Sequence, residues 1–213
     1  MIRGVLFDFD GVIVESAEVK TEAFRKLFEK EYPKYAEEIV DYHKGNMGIS
    51  RYVKFQHIYE RIIKQPYSRE VEGKLGKRFS EFVVSAVLSA PFVAGAVGFL
   101  KRNHERYAMY VVSGTPETEL AAIVDKRGIK SYFKDVYGSP RKKEEIAREI
   151  LLRNHWKPDE VAFVGDAESD REASERCGVH FICRVNENGN FQSPVGRHSI
   201  RDLTELEGVL SQC

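Results

Sequence analysis

The sequence predicts an α/β fold, a parallel sheet covered on both faces and carrying an inserted α-helical subdomain. Three observations lead there. From Pro91 onward, short apolar runs alternate with helical periodicity, the pattern of βα units. Before Pro91, about 75 residues of helical periodicity follow a first strand, too many for an ordinary crossover connection. The distinctive polar residues fall at the carboxyl ends of the strands, where such sheets bind ligands. The expected division is a core of residues 1–14 and 91–213 with an inserted helical subdomain of residues 15–90.

The first strand is Val5–Phe7, an apolar run suited to a buried parallel strand. Asp8, Asp10 and Gly11 follow at once. Alternate strand residues face the same side, so the two aspartates share a site wherever the chain stays extended. Taken alone, Asp-x-Asp-Gly equally describes an acidic turn. Helical spacing then takes over in four stretches. Val19, Ala23, Leu27 and Phe28 mark the first, and Tyr35, Ile39 and Tyr42 the second. Val53, Phe55, Ile58, Tyr59, Ile62 and Ile63 mark the third. The fourth runs from about Ser68 to Leu88 with Phe79, Phe82 and Val83. Pro33, residues 45–48, Pro66 and Pro91 punctuate them.

After Pro91, a helix through Phe99 and Leu100 leads to a strand over Tyr107–Val112. Ser113-Gly114-Thr115-Pro116 then opens a helix reaching Lys126, with Thr115 suited to the N-cap and Pro116 to the first turn. Free N–H groups near Gly114 and the Ser113 hydroxyl make a phosphate-sized anion site, with a plain capped helix start as the alternative. A short strand near Val136 precedes a helix over Arg141–Arg153. Arg141, Lys142 and Lys143 crowd its start against the helix dipole, a placement useful to an anion there and otherwise a solvated charge run. The strand Val161–Val164 ends in Gly165-Asp166, and Asp170 lies one turn further along the next helix on a shared face. A helix through Ala173, a strand over Val179–Val185 and a loop-rich tail complete the chain. Asp8, Asp10 and Asp166 gathered at one sheet end would repel one another. A hard divalent cation resolves that, and so few carboxylates with room for water and a phosphate oxygen favour Mg²⁺ over Ca²⁺.

Composition narrows the partners. Thirty-three basic residues offset 33 acidic ones, which argues against a general nucleic-acid binder or a membrane-surface protein. With 42% hydrophobic residues there is ample material for a core, yet no apolar run approaches the ~18 residues of a membrane helix. The first strand begins almost at Met1, so no signal peptide is expected. Cys177, Cys183 and Cys213 show no Cys-x-x-Cys spacing and read as buried or terminal thiols of a reducing cytoplasm. The histidines show no metal-ligand spacing, and His57 is expected to pack or to lie on the surface. Oligomeric state is left open.

Taken in order, Asp8-Phe9-Asp10-Gly11-Val12, Ser113-Gly114-Thr115, a lysine, and Gly165-Asp166-Ala167-Glu168-Ser169-Asp170 resemble the four motifs of the haloacid dehalogenase-like superfamily. The resemblance covers nearly the whole chain and implies a Rossmann-like core. The insertion after the first motif resembles the α-helical cap of phosphoglycolate phosphatase-like and β-phosphoglucomutase-like members. By that resemblance Asp8 is the nucleophile, forming an aspartyl-phosphate. Asp10 protonates the leaving alcohol, then activates water, and its backbone carbonyl joins Asp8 and Asp166 on Mg²⁺. Ser113 and Gly114 hold the transferring phosphoryl group, and Asp170 supports the metal ligands from behind. The family lysine matches Lys143, with Lys142 as the alternative.

Gly48-Ile49-Ser50-Arg51 resembles the cap loop of mutase-like members, where an arginine reaches a distal anionic group; a solvated Arg51 is equally open. Lys20 is a departure, because many relatives carry histidine there, which in the mutase serves the sugar hydroxyl. Asp10 itself favours phosphate esters, since dehalogenase and phosphonatase members replace it. The expectation is a Mg²⁺-dependent phosphatase acting on a small phosphorylated metabolite, a sugar or organic-acid phosphate. A sugar phosphomutase is the alternative, and a catalytically silent binding protein the third reading.

Overall fold

The computed structural model describes residues 1–186, 191 and 193–213. Its centre is one parallel sheet built from β1 (Gly4–Phe7), β2 (Ala108–Pro116), β3 (Asp135–Ser139), β4 (Val161–Gly165), β5 (His180–Arg184) and β6 (His198–Ile200). The strand order is β3-β2-β1-β4-β5-β6. Phe7 stands level with Val111 of β2 on one side and Val164 of β4 on the other. The chain therefore grows outward from β1 in one direction, then returns to its other side. The crevice at the carboxyl ends of β1 and β4 is where such a sheet takes a ligand.

Apolar residues alternate between the two faces as the pleat requires. Val5, Phe7, Met109, Val111 and Val164 join one buried cluster, while Leu6, Tyr110, Val112 and Phe163 join another. Helices α5 (Ala96–Asn103) and α6 (Glu117–Lys126) bring Phe99, Leu100, Leu120 and Ile123 to the first face. On the second face, α7 (Lys143–Asn154) and α8 (Glu168–Cys177) supply Ile146, Ile150 and Cys177. A short α9 (Leu206–Leu210) packs Leu206 and Leu210 against the first cluster.

Between β1 and β2 the chain runs through α1 (Ala17–Phe28), α2 (Ala36–Lys44), α3 (Arg51–His57) and α4 (Arg69–Ser89). The backbone of α3 continues as a π-helix over Ile58–Ile63, which keeps Ile58, Ile62 and Ile63 inward and ends at a left-handed Lys64. The four helices close on their own aromatic core. The rings of Phe24, Phe55 and Phe79 lie 4.8 to 5.8 Å apart, centre to centre. The insertion leaves and re-enters the core through a narrow neck, where Glu15 N–H donates to the Pro91 carbonyl at 3.0 Å and Val14 bridges Phe92.

Most elements expected from periodicity are present; the differences lie at their ends. β2 runs on through Pro116, so Thr115 is an extended residue and no N-cap, and Pro116 itself caps α6, which begins at Glu117. The helix expected from Arg141 starts two residues later, with Lys142 at its N-cap and Lys143 in its first turn. Ala167 occupies the N-cap position of α8. β6 and α9 were not foreseen, because three and five residues are too short for a periodic signal; part of the expected loop-rich tail lies outside the described residues. His57 stacks flat on Tyr42, rings 4.2 Å apart, as packing at the surface. Cys177, Cys183 and Cys213 are free thiols, the first two buried. Among the described residues no helix is long and apolar enough to cross a membrane.

Candidate active site

Asp8 is the first residue past β1, fixed there because its N–H donates to the Val164 carbonyl at 3.0 Å and so extends the strand ladder by one bond. One carboxylate oxygen accepts from the N–H of Phe9 at 2.7 Å. The other accepts from Lys143 Nζ at 2.9 Å, and the same ammonium donates to Asp170 at 2.6 Å. All three side chains are buried. Burial works against the charge on Lys143, but Asp170 and Asp8 outweigh it and hold the lysine pKa above its ordinary value. Lys142, by contrast, is exposed. A cation in the first turn of α7 opposes the helix dipole, and the two buried carboxylates remove that cost.

Asp166 stands across from Asp8 at the end of β4. Carboxylate oxygens of Asp8, Asp166 and Asp170 lie within 4.8 Å of one another. Asp170 is fully engaged, since its second oxygen accepts the Ala167 N–H at 3.1 Å and caps α8. Asp166 is the opposite case. Its Oδ2 is buried and, among the described residues, has no hydrogen-bond partner. Burial, then the charges of Asp8 and Asp170, push its carboxyl pKa well above the usual range. An orphaned buried carboxylate oxygen facing a second carboxylate fits a hard divalent cation, Mg²⁺ by the donor set. Gly11, at φ +76°, turns the chain directly over this oxygen, and a Cβ there would collide with the Asp166 carboxylate.

Ser113 and Gly114 extend from the neighbouring β2. The Ser113 oxygen accepts the Thr115 N–H at 3.2 Å, leaving its own hydrogen free to donate to a ligand. Gly114 lies under the insertion, where a Cβ would strike the carbonyl of Gly48. The loop over residues 45–50 therefore sits on the anion loop, and any side chain at position 114 would lift it.

The Asp10 carboxylate turns to a different set of partners. Its Oδ1 accepts from Ser16 Oγ at 2.6 Å, and its Oδ2 accepts from Thr115 Oγ1 at 3.1 Å and from the Lys20 ammonium. Lys20 also donates to Thr115 Oγ1 at 2.7 Å. Burial alone would raise the Asp10 pKa, but the Lys20 charge and these three hydrogen bonds outweigh it and lower it. With both oxygens taken, what Asp10 could offer a cation is its backbone carbonyl. Lys20, noted in the sequence only as a departure, thus stands beside the second aspartate.

Asp8, Asp10, Asp166, Ser113 and Gly114 line one cavity, closed from above by Lys20, His43, Arg51 and Lys54 of the insertion. Arg51 is not on the surface: it is 4% exposed, in the first turn of α3. Its guanidinium lies over the Phe79 ring, donates to Ser80 at 2.9 Å and forms a two-pronged ion pair with Glu119 of α6. Lys54 is buried against His43, its Nζ 3.0 Å from Nδ1. Sequence reasoning gave Lys20 no role and missed His43, Lys54 and Glu119. A signal existed for the first three, because each falls on the apolar stripe of its helix, beside Phe24, Val40 and Phe55 respectively.

Burial of His43 carries a pH consequence. Burial first, then the Lys54 charge, lower its pKa from 6.5 to about 2. The unfolded chain takes up this proton below its ordinary pKa and the folded chain does not. The stability contribution is therefore complete above pH 6.5 and is lost as pH falls, at roughly 1.4 kcal/mol per unit. Urea unfolding at pH 7 and pH 5 should show His43→Gln losing about 2 kcal/mol less than the wild type over that interval. Equal losses would mean that His43 does not titrate in the unfolded chain alone.

Comparison with known proteins adds independent findings. The family model of the haloacid dehalogenase-like hydrolases matches residues 5–184. The phosphorylated carbohydrates phosphatase of Thermotoga maritima is 26% identical over 193 residues, 86% of this chain and 85% of that protein. A phosphoglycolate phosphatase of Vibrio parahaemolyticus is 26% identical over 185 residues, 83% of this chain and 81% of its own length. The crystal structure of a β-phosphoglucomutase from Clostridium difficile superposes with a TM-score of 0.74 over 100% of this chain and 98% of that one, at 18% identity.

Proposed function

The chain belongs to the haloacid dehalogenase-like hydrolases, and from that membership we propose that it is a Mg²⁺-dependent phosphatase of small phosphomonoesters working through an aspartyl-phosphate. The observation that carries the reading is Asp8, presented at the end of β1 between the Phe9 N–H and the Lys143 ammonium, beside the partnerless oxygen of Asp166. Residues 15–90 act as a cap over the core of residues 1–14 and 91–213. The chain works in the cytoplasm on a phosphorylated metabolite.

Asp8, Asp166 and the Asp10 carbonyl would hold Mg²⁺, which would supply neutralisation of phosphoryl charge. An Asp8 oxygen attacks phosphorus, forming the acyl-phosphate bond as the ester P–O bond breaks. Asp10, which takes up a proton from solvent when its carboxylate leaves Lys20, passes that proton to the departing oxygen. Asp10, again a carboxylate, then removes a proton from water, whose oxygen attacks phosphorus and frees Asp8 and inorganic phosphate. Lys143 screens the approach of two anions, and the Ser113 hydroxyl with the N–H groups around Gly114 receives the equatorial oxygens. Asp170 holds Lys143 in place.

A mutase would have to house a sugar bisphosphate. The cavity leaves room for only a few waters, about 50 Å³, which favours hydrolysis of something smaller. Phosphate release from a panel of phosphorylated metabolites should vanish after chelation and return with Mg²⁺. Undiminished turnover in protein stripped of detectable metal would overturn the role given to Asp166.

A further inference from the structure

The cavity's cations are not alike. Lys20 is paired with Asp10, and Arg51 is paired with Glu119. Lys143, which touches the cavity-lining Asp8, is shared between Asp8 and Asp170. Lys54 is 2% exposed and, among the described residues, has no carboxylate partner. It donates to His43 Nδ1 at 3.0 Å and lies 5.4 Å from the centre of the Phe24 ring. His43 is pinned by stacking on Phe24, ring centres 4.3 Å apart, and its buried Nε2 has no partner among the described residues. With Nδ1 accepting from the lysine, Nε2 carries the ring proton, so the pair leaves a second buried donor unused. Burial, then the charges of Lys20, Lys143 and Arg51, lower the Lys54 pKa well below its ordinary value; a cation so destabilised gains most from an anion brought beside it, and its cost to stability is retained where function needs it.

We propose that Lys54, backed by His43, is the group that selects the substrate, by receiving a second acidic group that the phosphomonoester carries. This rests on the phosphatase reading above and moves the selecting role from Arg51, whose guanidinium is already neutralised, to Lys54. The cavity limits what the substrate can be. At roughly 10–15 Å³ of water-centre volume per water, 50 Å³ holds only a few waters. An acidic group one or two carbons from the ester oxygen fits that space, and a carboxylate is the anion small enough to share it with a phosphoryl group. The substrate class is a short phosphorylated carboxylic acid.

The test compares 2-phosphoglycolate with ethyl phosphate, which matches its length and lacks the acid, in the Mg²⁺-loaded wild type and in Lys54→Met. The wild type should favour the acid by ten- to a hundredfold in kcat/KM, mostly through KM, about what one charge-assisted contact supplies. Lys54→Met should bring that ratio close to one, and Lys54→Arg should keep part of it. Removal of an unpaired buried charge should also raise the melting temperature of Lys54→Met, so that selectivity falls while stability rises. An equal loss on both esters with a lower melting temperature would make Lys54 a structural residue and overturn the proposal, as would a wild type indifferent to the acid. If neither ester is hydrolysed, the phosphatase reading fails on its own. Calorimetric binding of both compounds to Asp8→Asn, with and without Lys54→Met, then decides the role of Lys54. Preference for the acid that disappears with Lys54 supports it, and equal binding refutes it.

Discussion

Asp8→Asn is expected to lower phosphatase turnover by at least a thousandfold, about 4 kcal/mol of barrier, while the protein stays folded. The amide fills the same space, but its one oxygen can accept from only one of Phe9 N–H and Lys143, and it offers no charged oxygen to phosphorus. The substitution also removes one of the three buried carboxylates that crowd the site, which offsets the lost hydrogen bond. Single-turnover phosphate release, with circular dichroism to check the fold, measures both. Near-normal turnover in a folded Asp8→Asn protein would exclude covalent catalysis at this position.

The second large effect separates two adjacent lysines. Lys143→Ala leaves Asp8 and Asp170 buried side by side without their shared cation, a loss of roughly 3–5 kcal/mol in stability by comparison with other broken buried pairs. Turnover should fall at least tenfold further than in Lys142→Ala, whose side chain is exposed and touches neither aspartate. Because Lys143→Ala risks unfolding, Lys143→Arg is the companion variant: it keeps the charge, should fold, and should still be impaired because a planar guanidinium does not sit between two carboxylates as an ammonium does. If Lys142→Ala proved the more damaging, the assignment of the lysine would be wrong by one residue.

Much of this was legible in the chain itself. The strand runs ending in Asp8, Ser113 and Asp166, and the helical interlude between the first two, follow from periodicity, because a buried parallel sheet demands apolar runs and an insertion must bury its own stripe. The site's core half was legible for the same reason: a parallel sheet gathers whatever follows its strands. The cap half was not. Lys54 and His43 occupy positions where an apolar residue is expected, and a periodicity count passes over a lone cation on such a stripe. Glu119 is one acid among several on α6, and nothing local marks it as the partner of an arginine 68 residues away. Thr115 was misplaced because Ser-Gly-Thr-Pro matches helix-start chemistry so well. Its pairing with Asp10 depends on tertiary contacts that carry the strand on to Pro116.

The ion pair between Arg51 and Glu119 joins the insertion to α6 of the core. Any movement of the insertion away from the sheet must part it. Parting moves two charges from a dry contact into water, where dissolved ions screen them; the joined pair, being buried, is screened far less. Salt therefore favours the open enzyme. Where access sets the pace, turnover quickens as ionic strength rises; where bond-making at phosphorus sets it, turnover stays level or falls as the phosphoryl site loses its pull. The sign of that response identifies the slow step of the cycle.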